Sequence, residues 1–249
     1  MSTLLRSKAG SLLARVIAIL HSPRSTFEAL ALAPRVFGVV TLTFLVTAGC
    51  TAIVLETDVG QLALLDQWER AAFRLGQTVD DVQYRAMEDA SRHGAAYAVL
   101  TATVSGPVLT VGLSGLFFAV FRVSRVAARP FADRAGTVTY WHVLAIVGHA
   151  GVILALRQVI AAPLTYTRET LAGPMTMRVF FAMFDDASLA ARLFAAIDLF
   201  VVWWIILLAV GMSVLYARPA GRLACVFVGA YVTLSTVVTI VMAAVGGTA

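Results

Sequence analysis

The sequence is short of charge. Only 13% of its 249 residues are Asp, Glu, Lys or Arg, while 60% are hydrophobic and the mean hydropathy is +0.87. Water-facing domains carry about 25% charged residues. Half that density cannot coat a surface of this size, so lipid is the predicted solvent. Cysteine is scarce as well: Cys50 and Cys225 both lie in apolar runs and have no metal-ligand spacing. The span assignment below places them near opposite faces of the bilayer, at about 1.5 Å rise per residue. A disulfide needs Cα atoms within roughly 7 Å, so none is expected. Soluble-enzyme signatures are absent too: no GxGxxG after a strand, no Walker A sequence and no HExxH. Ser105-Gly106 and Ser114-Gly115 sit inside lipid-length runs, and no basic-side segment is long enough to fold as a catalytic domain. The expectation is a protein that is not an enzyme and has no cofactor. A cleavable signal peptide is not expected, because Arg15 interrupts the apolar stretch Ser11–Leu20 and the HSPRST after it offers no small-residue cleavage site.

What the sequence has in quantity is long apolar runs. A membrane helix needs about 20 mostly apolar residues, and five charge-free stretches supply them: Val36–Leu55, Ala95–Phe121, Ala135–Leu156, Leu199–Ala217 and Leu223–Val245. None alternates like a barrel strand. Only helices and closed barrels satisfy the backbone in lipid, so the predicted fold is all-α: a polytopic bundle of five transmembrane helices in one membrane domain, 1–249, with spans at about 36–55, 96–121, 138–160, 196–217 and 223–245.

The net charge of +5 and pI of about 9.7 would suggest nucleic acid in a soluble chain. Here the arginines are read as topology signals, with no nucleic-acid partner. Arg6, Lys8, Arg15, Arg24 and Arg35 precede span one; Arg122, Arg125, Arg129 and Arg134 separate spans two and three; Arg218 and Arg222 separate spans four and five. These segments must share a side. The other side holds Glu56, Asp58, Asp66, Glu69, Asp80, Asp81, Glu88 and Asp89. The positive-inside rule makes the basic side cytoplasmic, which puts the N-terminus in and, with five spans, the C-terminus out.

Three segments outside the spans have pattern. Leu4–Leu20, apolar with Arg6, Lys8 and Arg15 interspersed, predicts an amphipathic helix in the cytoplasmic interface. Ser25-Thr26-Phe27-Glu28 matches a capping box and predicts a short helix to about Leu32, ended by Pro34. In 56–94, Leu62, Leu65, Trp68, Ala72 and Leu75 recur at helical spacing. Gly76 is placed to stop that helix, and Thr78 to cap a second through about Ala90. An extracytoplasmic helical hairpin is predicted, either a cover over the bundle or a lid or docking element. Met175–Phe184 is apolar but too short to span and is expected at the interface.

Polar residues at bilayer depth are costly and by default suggest function. His142 and His149 lie seven residues apart on one face of span three, with His149 near the midplane. A neutral imidazole hydrogen-bonded across the bundle competes with a proton or substrate role. No metal is expected, because no Cys, Asp or Glu of another span sits at that depth and a site needs more ligands. Arg157 and Asp198 end span three and begin span four at matching depth, so an ion pair is predicted. Pro107 should kink span two, beside Gly106, Gly112, Ser114 and Gly115. These small residues suggest close packing or the broken helix of a carrier. Trp203 and Trp204 lie mid-span, so at least one should pack inside the bundle, and Thr233, Ser235, Thr236 and Thr239 of span five suggest packing.

The opening ARVIAILHSPRSTFEALALAP, with its basic helix, Ser-Pro break, Phe and Pro before span one, resembles the start of bacterial Yip1-domain proteins. TVTYWHVLAIVGHAGVILAL (137–156) is similar to that family's third span, and AIDLFVVWWIILLAVGMSVLYARP (196–219) to its fourth. The 56–94 loop and span two match in hydropathy alone. The DLYGP-type sequence of eukaryotic members is absent and His149 stands where their span-three Tyr would be, so their Rab-binding and trafficking roles do not transfer. The resemblance implies a five-span protein of the bacterial cytoplasmic (inner) membrane. The expected function is non-enzymatic: a scaffold, assembly or membrane-organising component whose partners are the lipid bilayer and a membrane protein or a second copy. The alternative is a small transporter or channel using a polar path near span three.

Overall fold

A computed structural model describes residues 12–123, 137–171, 175–181 and 188–246. Among these the regular structure is helical, and five helices are long and apolar enough to cross a membrane: Phe37–Leu55, Gly94–Arg122, Tyr140–Arg168, Leu199–Tyr216 and Ala220–Met242, called spans one to five. The chain is a multi-pass membrane protein by length and composition. The third span is longer than its charge-free stretch implies. It passes Arg157 and Pro163 and stops at Arg168, eleven residues further, which adds about 16 Å at helical rise. Arg157 extends polar atoms sideways from a helix whose own backbone bonds are satisfied, so a single charge does not end it.

The remaining helices are α1 (Leu12–His21), α2 (Pro23–Leu32), α3 (Asp58–Arg74), α4 (Asp81–Ser91), a 3-10 turn at Met177–Phe180, and α5 (Leu189–Ala196). Two helix starts differ from expectation. α2 begins at Pro23, where fixed φ and a missing N–H suit a first helical position. The capping box expected at Ser25 is therefore not formed: Ser25 Oγ donates to the Ser22 carbonyl, and Glu28 pairs with exposed Arg24 at 3.2 Å. α4 is capped by Asp80, not Thr78; Asp80 accepts from the Gln83 amide at 2.7 Å and Gln83 reaches back to the Asp80 amide. Gly76 does end α3, with φ +70°. Arg6, Lys8, Arg125, Arg129, Arg134, Gly173-Pro174, Asp185, Asp186 and the last three residues lie outside the described residues.

The chain divides into two compact units: residues 1–45, 104–155 and 203–228, and residues 46–103, 156–202 and 229–249. The first is built on apolar contact. α1 and α2 pack on each other and on the start of span three, which buries Ile19 and Phe27 completely. A Cβ on Gly211 of span four would collide with Ile146 of span three and stand 3.5 Å from Phe27, so these three elements approach as closely as only glycine allows. Val143, Ile146, Leu208, Met212 and Leu215 complete this core. Phe121 of span two stacks on Tyr216 of span four at 4.3 Å.

In the second unit α3 folds back directly after span one. Thr57 caps it, and Gly60 passes so near the Val54 carbonyl that a side chain there would collide. Leu64 then packs with Leu55 and Ala98, and Trp68 meets Tyr97 edge-on at 5.7 Å. α3 and α4 pack together as the expected hairpin, but the buried face is Ala63, Leu64 and Leu65. Of the predicted stripe Leu65 is buried and Trp68 and Ala72 are partly buried, while Leu62 and Leu75, the latter just past the helix end, are exposed.

Candidate functional site

The densest polar constellation lies in the second unit, around Asp198. The ion pair with Arg157 is formed, Nε to Oδ2 at 2.7 Å, with side-chain exposures of 31% and 10%. Asp198 does more than pair. Its Oδ1 accepts from the amides of Phe200 and Val201 at 2.9 and 3.3 Å and so caps span four. Its own amide donates to the Tyr231 hydroxyl of span five at 3.1 Å, and that hydroxyl donates to the Ala196 carbonyl at 3.0 Å. Thr176 forms an isolated antiparallel bridge with Asp198; Met177 N–H donates to Ile197 O at 2.8 Å and Leu199 N–H to Met175 O at 3.1 Å. One residue thus ties together span three, span four, span five and the short segment at 175–180. Beside it Gln158 donates to Thr51 Oγ1 at 2.8 Å, linking spans three and one.

Both carboxylate oxygens of Asp198 are engaged, and charge-assisted bonds to a partly buried group are the stronger kind. This arrangement fits a lock on helix positions better than a proton carrier. The sequence pattern does not single out Tyr231, Gln158 or Thr51. The available signal was that a phenol or amide within an apolar helix must find a partner, but the identity of that partner is long-range information.

The two span-three histidines bond separately, each through Nδ1 to its own helix or helix start, in the first unit. His142 is half-buried in the first helical turn, where its Nδ1 accepts from the Thr139 amide at 3.1 Å and lies 2.7 Å from the Thr139 hydroxyl. His149 is 1% exposed. Its Nδ1–H donates to the Ala145 carbonyl one turn back at 2.8 Å, which corrects the expected bond across the bundle. That tautomer leaves Nε2 as an acceptor, and it is buried without a partner. A packed helix carries its own carbonyls everywhere, so the nearest acceptor wins over one on a neighbouring span. Among the described residues no group of three or more His, Cys, Asp or Glu side chains is placed to hold a metal ion.

Pro107 lies within an uninterrupted helical span two and faces outward. A Cβ at Gly106, Gly112 or Gly115 would meet nothing within 4 Å. The close packing expected at these glycines is therefore not made among the described residues. Ser114 is the buried exception, its hydroxyl donating to the Thr110 carbonyl at 2.6 Å. Trp203 faces outward, while Trp204 is partly buried with its indole N–H enclosed and unpartnered. No protein-family model, curated protein or solved structure matches this chain.

Proposed function

We propose that this protein is a non-enzymatic membrane component, a scaffold, assembly or membrane-organising protein of Yip1-like type, that acts through contacts made within the bilayer. The observation carrying this reading is the unequal use of its spans. Of an apolar 18-residue stretch in each, 61% is buried in span three and 56% in span four, against 11% in span two and 0% in span five. Spans two and five have few or no fully buried residues in that stretch, and the glycines of span two stand unopposed among the described residues. Lipid tails are as apolar as leucine, so small residues and packing, not hydrophobicity, drive helix association in a bilayer. Surfaces of this kind suit a membrane-protein partner or a second copy. The charge distribution supports a bacterial inner-membrane setting with the N-terminus inside and the C-terminus outside. An alkaline phosphatase fused after Ala249 is expected to be active, and an inactive fusion overturns this topology.

A second reading, a small transporter or channel, is favoured by one observation: the unpartnered Nε2 of His149, deep in span three. Purified protein in liposomes separates the two. The scaffold reading expects proton and small-solute flux no greater than in empty liposomes; flux that vanishes in His149→Ala establishes the transporter instead.

A further inference from the structure

Near the first turn of span one two arginines act on each other, and among the described residues no carboxylate pairs with either. Leu12 of α1 presses on Gly38, where a Cβ would lie 2.6 Å from Leu12 Cδ1, so α1 runs against the start of span one. Arg15 is three residues after Leu12 and therefore on the same helical face. Arg35 is three residues before Gly38, immediately ahead of the helix start at Phe37. The two charges are near enough to act on each other: the Arg15 guanidinium is held below its usual arginine range first by burial and then by Arg35. Arg15 Nε is enclosed without an acceptor. Neither arginine takes part in an ion pair among the described residues; Glu28, the one described acid of this unit, is already paired with Arg24.

Two like charges within electrostatic reach of each other, one with a buried unsatisfied donor, cost free energy unless an anion joins them. The adjoining helix start adds to the demand, since the first amides of span one have no partners within the helix and carry the positive end of its dipole. The surroundings indicate where the anion comes from. Phe37 is 76% exposed and Trp141 52%, with their rings 6.3 Å apart at the starts of spans one and three, and Leu13 and Ile17 form an exposed apolar stripe on α1. A Trp ring favours the membrane–water interface, and the Phe37 ring beside it offers apolar surface just below. A free anion has no use for them, whereas a lipid places its phosphate on the arginines and its acyl chains on the rings.

We propose that Arg15, Arg35 and the first turn of span one form a binding site for the phosphodiester of an anionic phospholipid, with Phe37 and Trp141 flanking its acyl chains. The inference needs only that the chain is embedded in a bilayer and does not rest on the scaffold reading.

The test is native mass spectrometry of the full chain in detergent, titrated with a phosphatidylglycerol or a phosphatidylcholine, with inorganic phosphate in a third arm. Retention of one phosphatidylglycerol in preference to phosphatidylcholine is expected. Arg35→Gln and Arg15→Gln should each weaken it by about fivefold, the scale of one arginine at an anionic surface. Arg24→Gln should leave it unchanged. Arg35 is exposed, so its variant remains informative if Arg15→Gln fails to fold. Bromine on the phosphatidylglycerol chains should quench Trp141 in a protein with Trp68, Trp203 and Trp204 replaced by Phe, and Arg35→Gln should relieve that quenching. Equal retention of both lipids, or retention and quenching untouched in Arg35→Gln, overturns the proposal. Displacement of the lipid by millimolar phosphate reassigns the site to a free anion and overturns the lipid assignment.

Discussion

The two compact units use the same five spans, and they are held together by different physics. The unit containing α1 and α2 carries eleven of the nineteen Lys and Arg residues and two of the fourteen acids, a net charge of +9; the other carries eight arginines and twelve acids, a net charge of −4. The basic unit is joined by apolar shape: Phe27 and Ile146 against Gly211, and Phe121 on Tyr216. The acidic unit is joined by polar atoms: Arg157 and Tyr231 on Asp198, and Gln158 on Thr51. Between helices in lipid the hydrophobic effect gives no net attraction, so contact must come from close packing or from hydrogen bonds. The basic unit rests chiefly on packing, with one inter-span bond from the Tyr140 hydroxyl to the Val111 carbonyl, whereas the acidic unit adds its polar ties to the packing of Leu64 on Leu55 and Ala98. The basic unit should therefore respond to changes in side-chain size, and the acidic unit to loss of hydrogen bonds.

The largest expected effect is in the basic unit. Gly211→Val puts two methyl groups where Ile146 already stands, with Phe27 behind it. Overpacking a filled core costs about 1–3 kcal/mol, and here the upper part of that range is expected because three elements are forced apart together. The measurement is the midpoint of thermal unfolding of the detergent-purified protein. Ile146→Ala in the same chain should restore part of the loss. If Gly211→Val unfolds at the wild-type temperature, the basic unit is not shape-locked and the contrast fails.

Next come the ion-pair variants of the acidic unit. Arg157→Ala removes one partner of a partly buried pair. Asp198→Ala removes that pair and also the acceptor for two span-four amides, a cap worth about 1 kcal/mol by itself. Asp198→Ala is accordingly expected to be the more destabilising of the two by about 1 kcal/mol. The reversed pair, Arg157→Asp with Asp198→Arg, should recover expression above either single neutralisation but stay below wild type, since arginine cannot accept from the Phe200 and Val201 amides. Equal losses for the two alanine variants would reduce Asp198 to a simple counter-charge. Tyr231→Phe should cost about 1 kcal/mol, the worth of an ordinary hydrogen bond, and separates the span-five contact from the ion pair.

The units also differ in how much of them the sequence discloses. Run length and missing charge reveal all five spans, because both are local properties of lipid-crossing helices. Matched depth reveals the Arg157–Asp198 pair, since two opposite charges near one level have few alternatives. Tyr231 is not legible in this way: nothing local to span five says that its hydroxyl meets the Asp198 backbone. The start of α2 is misread because Ser25 and Glu28 imitate a cap that Pro23 pre-empts by two residues. The far end of span three is less legible, because a charge such as Arg157 resembles a boundary although the helix runs on to Arg168. His149 is buried but bonds to a different partner from the one expected, since a carbonyl one turn back is always within reach. Local chemistry is readable in these cases, and long-range pairing is readable only where charge leaves no choice.

The smallest expected effect bears on the surface that neither unit uses. Gly106, Gly112 and Gly115 on span two have open space where a side chain would stand. In an exposed helix interior, replacing glycine by alanine favours the helix by up to about 1 kcal/mol, because glycine loses more backbone freedom on folding. If only lipid tails face span two, Gly106→Ala and Gly112→Ala should leave the unfolding midpoint unchanged or raise it slightly, and the mass of the purified particle should not change. If a partner or second copy packs there, an added methyl group blocks the approach of its backbone. The same substitutions should then shift the particle toward smaller mass in multi-angle light scattering without lowering the stability of the monomer. The pair of readouts separates surface that touches only lipid from surface kept free for another helix, which unfolding of the isolated chain alone does not reveal.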